Sequence, residues 1–113
     1  MSEARLSLRV DFPGGRIGPG KIALLEAIAR EGSISAAGRA LGMSYKRAWE
    51  LVDQLNTLLA EPAVTASPGG ARGGGAKLTA AGEALIQDYR AMERAAARAA
   101  APQLRSWMAR ARG

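Results

Sequence analysis

Tyr45, Lys46, Arg47, Trp49 and Glu50 stand close together behind Ser44. An ammonium beside a guanidinium supplies donors that match the O6 and N7 acceptors of a guanine edge. The Tyr45 ring suits a thymine methyl or a phosphate, and Glu50 suits a cytosine amino group or the orientation of Arg47. Ser33, Ser35 and Ser44 fall at expected helix starts, where outward-pointing backbone N–H groups hold phosphate. Covalent chemistry has no comparable candidates. The chain contains neither cysteine nor histidine, which removes thiolate and imidazole metal sites and the usual Cys-His or Ser-His catalysis. No paired acids and no nucleophile with a base occur at useful spacing, so no enzyme, metal or cofactor is expected.

These side chains need a rigid support, and the sequence from Ser33 to Leu59 describes one. Ile34, Ala37, Gly38 and Leu41 follow the i, i+3, i+4, i+7 spacing of an amphipathic helix, after which Gly42 supplies a turn. Ser44 is a suitable N-cap for a second helix, whose apolar face is Ala48, Leu51, Val52, Leu55 and Leu59. Gly38 and Ala48 are small where the two helices should touch, as a steep helix-turn-helix crossing requires. With that face inward, a rotation of about 100° per residue turns Lys46, Glu50, Asp53 and Thr57 outward. Tyr45 and Trp49 then share one flank and Arg47 takes the other. Packing against the first helix is the primary expectation for Trp49, and stacking on a base the second.

The remaining elements frame this pair. Leu6, Leu8 and Val10 alternate with polar residues, predicting a strand over residues 4–11. Pro13, Gly14, Gly15 and Gly18 break the chain before a helix over 19–31, with Pro19 in its first turn and Gly32 as its C-terminal cap. Residues 63–79 read as a wing, two short strands around a five-glycine loop. Arg72 at its tip is placed for a minor groove and Lys77 for the adjacent phosphate. The loop lacks the Lys-Ser/Thr pair of a Walker A motif, and its other reading is a flexible linker. From Thr79 the alanine-rich chain predicts a dimerisation helix over 80–112, broken near Pro102. Its positions Leu85, Tyr89, Met92, Ala96 and Ala99 are spaced four, three, four, three as an a/d seam. The N-terminal strand, with Leu6, Leu8 and Val10, or the last helix, with Leu104, Trp107 and Met108, is expected to add apolar area to a homodimer interface.

The chain is thus expected to be a single domain over residues 1–113, mainly α with a small β component, a winged helix-turn-helix with an N-terminal strand and a long C-terminal helix. Sixteen Lys plus Arg against ten Asp plus Glu give a net charge of +6 and a pI near 10.8, which favours an anionic partner. Nothing approaches the ~20 apolar residues of a membrane span and no secretory apolar core opens the chain, so a cytoplasmic, nucleoid-associated protein is expected. Two function classes fit: a dimeric regulator that binds double-stranded DNA, and a protein-interaction adaptor that turns the same basic face to an acidic partner.

The runs GSISAAGRALGMSYKRAW and GGGAKLTAAGEALI, with Asn56 between them and Tyr89 behind, resemble the N-terminal DNA-binding domain of ModE-type molybdate-responsive regulators over about residues 5–95. More distantly, the helix-turn-helix and the LTAAG run are similar to the N-terminal domain of LysR-type regulators. The resemblance implies a winged helix, a homodimer joined through helices of this domain, and operator binding. The 113 residues end where the oxyanion-binding domains of that family begin. The basic groups are spread over surfaces suited to phosphate rather than gathered as buried donors. Molybdate or tungstate binding by this chain is therefore not expected, and it should bind DNA without either.

Overall fold

The computed structural model describes residues 3–70 and 73–112. Two short strands, β1 (Val10–Phe12) and β2 (Gly15–Ile17), precede three helices, α1 (Pro19–Glu31), α2 (Ile34–Ala40) and α3 (Tyr45–Leu58). An antiparallel pair, β3 (Val64–Gly70) and β4 (Gly73–Leu78), then leads into α4 (Ala80–Arg110). This is a mainly helical winged helix-turn-helix with a long C-terminal helix, the fold class expected from the sequence.

The helix-turn-helix closes through local chemistry. Ser33 Oγ accepts from Ala36 N and Ser44 Oγ from Arg47 N, each at 3.0 Å, so both helices start on a side-chain cap. Between them Gly42 takes φ 73°, a conformation in which a Cβ would be strained. Met43 N then donates to Gly38 O at 2.9 Å. A Cβ on Gly38 would sit 3.1 Å from that of Ala48, so the crossing depends on the missing side chain. Behind it Leu24, Leu25, Ile28, Ala37, Ala48 and Leu55 are fully buried, a three-helix core that is the main driving force for the fold.

The wing is anchored at its root. Asn56 of α3 accepts from Ala63 N at 2.8 Å and donates to Val64 O at 3.0 Å, while Ala76 N of β4 donates to Gly32 O at 2.9 Å. Val64 pairs with Leu78 and Thr65 with Lys77, with an irregularity between Ser67 and Gly70. Both sides of the wing are thereby tied to the helix-turn-helix.

Three expectations require correction. The strand expected over 4–11 is confined to Val10–Phe12, paired with a strand the sequence did not reveal, Val10 opposite Ile17 and Phe12 opposite Gly15. The alternation upstream marks an extended segment laid on α4: Leu8 packs on the core, and its carbonyl accepts from Tyr89 Oη at 2.8 Å. A period-2 pattern reports one buried face, and a helix can cover that face as well as a neighbouring strand can. Second, α4 runs unbroken through Pro102. Proline forfeits one N–H and crowds the preceding turn, but Pro102 is exposed and alanines, the strongest helix formers, occupy most of the preceding two turns. Third, Tyr89, expected on a dimer seam, is only 1% exposed within its own chain. Leu85 likewise packs against this core. A four-three spacing marks the buried stripe of any helix, whichever chain covers it.

Candidate nucleic-acid interface

α3 presents its first two turns to solvent. Tyr45 is 58% and Trp49 49% exposed, Lys46 and Arg47 are exposed, and Glu50 is half-buried. Trp49 is therefore only partly covered rather than fully packed as expected. No ion pair joins Glu50 to Arg47 among the described residues. Asp53 lies farther along the same helix and is exposed. A carboxylate there repels phosphate, so the N-terminal end of α3 is the end suited to an anionic surface.

The serines divide between roles. Ser44 caps α3 and is exposed, leaving the N–H groups of the first turn facing outward. Ser33 caps α2 and is half-buried. Ser35 accepts a 2.8 Å hydrogen bond from Arg39 Nη1, which leaves its O–H free to donate. Lys77 is exposed on β4 opposite Thr65, on the wing. Arg72 lies outside the described residues.

The residues expected at a subunit interface also separate. Leu6, Met92 and Trp107 are exposed, Trp107 by 71%, whereas Leu8 and Leu85 are half-buried on their own core and Ala96 is half-buried on α4. Ala4 N approaches Met108 Sδ at 3.1 Å, so the N-terminal segment reaches the far end of α4. That helix is joined to α1 by Arg90, which donates to Glu26 and to Glu93 at 2.5 and 2.7 Å. These two carboxylate hydrogen bonds push the guanidinium pKa further up.

Two cations were missed by sequence reasoning. Arg16 on β2 is exposed, and half-buried Lys21 on α1 donates to the Arg16 carbonyl at 2.6 Å. Burial, then the charges of Arg16 and of Arg47, push the Lys21 pKa down. The α3 cation and the two hairpin-side cations therefore share one electrostatic neighbourhood. The only signal in the sequence was their place on either side of a Pro-Gly turn region, which reads equally as a solvated loop.

Residues 20–83 match the bacterial regulatory helix-turn-helix protein family of lysR type. The chain is 60% identical over 80 residues to the molybdenum-pterin-binding protein MopB of Rhodobacter capsulatus, covering 71% of this chain and 30% of that protein. It is 46% identical over 90 residues to the molybdenum transport protein ModE of Azotobacter vinelandii, covering 80% and 33%. It is 45% identical over 71 residues to the DNA-binding transcriptional dual regulator ModE of Escherichia coli strain K12, covering 63% and 27%. The chain thus spans only about a third of the length of these relatives. Among solved structures, the crystal structure of a CbnR DNA-binding domain–DNA complex aligns with a TM-score of 0.57 at 26% identity, over 81% of this chain and 97% of that one. Among the described residues no helix is long and apolar enough to cross a membrane.

Proposed function

Because this chain belongs to the lysR family of bacterial regulatory helix-turn-helix proteins, as a DNA-binding domain of ModE type, we propose that it reads a specific duplex sequence as a homodimer. The first turns of α3 enter the major groove, where Lys46 and Arg47 address base edges, Tyr45 contacts a thymine methyl or a phosphate, Trp49 stacks on a base, and Glu50 takes a cytosine amino group. The wing leans on the backbone through Lys77. The observation that carries this reading is the exposed Tyr45-Lys46-Arg47 turn, capped by Ser44 and backed by the buried face of Ala48, Leu51, Val52 and Leu55. The likeness to the CbnR DNA-binding domain–DNA complex supports it.

Selection of bound duplexes from a random pool, in molybdate-free buffer, tests the proposal. One enriched sequence motif is expected, with affinity that falls steeply as salt rises. Retention of the whole pool with no enriched motif would overturn sequence-specific reading and favour an adaptor for an acidic protein.

The homodimer is supported by exposed apolar residues along α4 and the segment beside it: Leu6, Met92 and Trp107. An aromatic side chain at the centre of such an interface carries about 2 kcal/mol or more. Trp107→Ala is therefore expected to raise the dimer dissociation constant by about 30-fold or more in sedimentation equilibrium. A wild-type chain that stays monomeric at micromolar concentration, alone and on a selected duplex, would sink the dimer. In a dimer, half-sites lie about 34–36 Å apart, or a multiple of that.

A further inference from the structure

The hairpin β1–β2 stands beside the recognition helix. Phe12, Pro13, Gly14, Gly15 and Arg16, with Lys21 of α1, form one wall of an open groove of about 710 Å³; Asp53, Gln54, Thr57 and Leu58 of α3 form the other. Successive residues of α3 turn by about 100°, which sets Tyr45, Trp49 and Asn56 on one flank and Arg47, Gln54 and Leu58 about 180° away. Asn56 is bonded to the root of the wing. The hairpin groove therefore opens on the flank opposite the wing.

Geometry gives that position a meaning. An α-helix with its side chains is about 10–12 Å across and the major groove about 12 Å wide, so an inserted helix has a phosphate strand on each flank. The wing stands at one strand. At the other stand Arg16 and Lys21, neither of which is in an ion pair among the described residues. Lys21 is held to the Arg16 carbonyl, and the guanidinium groups of Arg16 and Arg47 both act on its charge. Asp53 in the opposite wall makes the inside of the groove unfavourable to an anion and leaves the rim, where Arg16 is exposed, to meet phosphate.

We propose that Arg16 and Lys21 form a second DNA-backbone clamp, which holds phosphates of the strand on the flank of α3 opposite the wing. The proposal rests on the reading of α3 as the DNA-reading helix. Phosphate contacts position the protein without specifying sequence, so the clamp adds affinity and fixes the angle at which α3 enters the groove.

The test is fluorescence anisotropy of the full chain on a labelled duplex recovered by selection and on a scrambled duplex of equal length, each across a salt series. Removing one cation from a phosphate lowers the slope of log K against log salt by about 0.9. Arg16→Ala should lower it by that amount on both duplexes alike, and the Arg16→Ala/Lys21→Ala pair by roughly twice as much. Arg16→Ala leaves the carbonyl that Lys21 grips in place, so it remains informative should the pair destabilise the turn. Arg110→Ala, at the far end of α4, serves as the control for net charge and should leave the slope unchanged. A wild-type slope in Arg16→Ala, or an equal drop in Arg110→Ala, would overturn the clamp while DNA reading stands. A wild-type chain with no salt-dependent duplex binding would overturn both.

Discussion

Lys46→Ala and Arg47→Ala should each cost about 1–3 kcal/mol of affinity for a selected duplex, a loss of about 5- to 150-fold, with a smaller loss on scrambled DNA. The expectation rests on position as well as charge. Both residues lie in the first turn after the Ser44 cap and both are exposed. The buried face behind them, with Ala48 against Gly38, keeps the helix from shifting to compensate for a truncated side chain. The double variant is expected to lose several kcal/mol, with coupling between the two because neighbouring side chains share one surface. The same anisotropy titrations on both duplexes decide the matter. Equal losses on the two duplexes would reduce these residues to phosphate contacts and leave specificity to Tyr45, Trp49 and Glu50.

What the sequence made legible follows from how local each feature is. The helix-turn-helix is written in caps and in one turn residue: Ser33 and Ser44 accept the N–H groups that their positions predict, and Gly42 takes the positive φ that its place requires. Those are interactions over three or four residues, which a single sequence encodes directly. The wing was legible only in part: two segments able to pair flank the glycine run, but the glycines expected as a loop lie in the strands themselves, Val64–Gly70 and Gly73–Leu78. Tertiary choices were not. Four-three spacing showed that Tyr89 is buried but not by which chain, and the alternation of Leu6, Leu8 and Val10 showed an extended face but not that α4 would cover part of it. Gly15–Ile17 is too short for a period, and its pairing depends on the Pro13-Gly14 turn bringing Ile17 back to Val10. Because that hairpin was missed, Arg16 and Lys21 read as ordinary surface charge, and the nearness of Lys21 to the charges of both Arg16 and Arg47 became visible only in three dimensions. Trp49 departed in the opposite direction: its flank position allowed packing, yet it is 49% exposed.

Tyr89→Ala is expected to destabilise the chain by about 3–5 kcal/mol, a large share of the stability of a domain of this size. The ring is 1% exposed and joins α4 to the core. Its hydroxyl donates to Leu8 O at 2.8 Å, pinning the N-terminal segment along the same helix. Tyr89→Phe keeps the ring and removes that bond, so it should cost only about 0.5–1.5 kcal/mol. Urea denaturation at fixed protein concentration separates the two, since dimerisation would make apparent stability concentration-dependent. Burial, then the neighbouring Glu93, raises the Tyr89 pKa, partly opposed by Arg90. A pKa raised on folding contributes stability that is complete below the ordinary tyrosine value and is lost as pH rises through the folded value. Wild-type stability should therefore fall faster at alkaline pH than that of Tyr89→Phe. If Tyr89→Ala instead kept the unfolding midpoint of the monomer and only dissociated the dimer, the ring would belong to the intersubunit seam that its heptad spacing first suggested. The expected result is the reverse, with Tyr89 holding each subunit together and Leu6, Met92 and Trp107 left to meet a second copy.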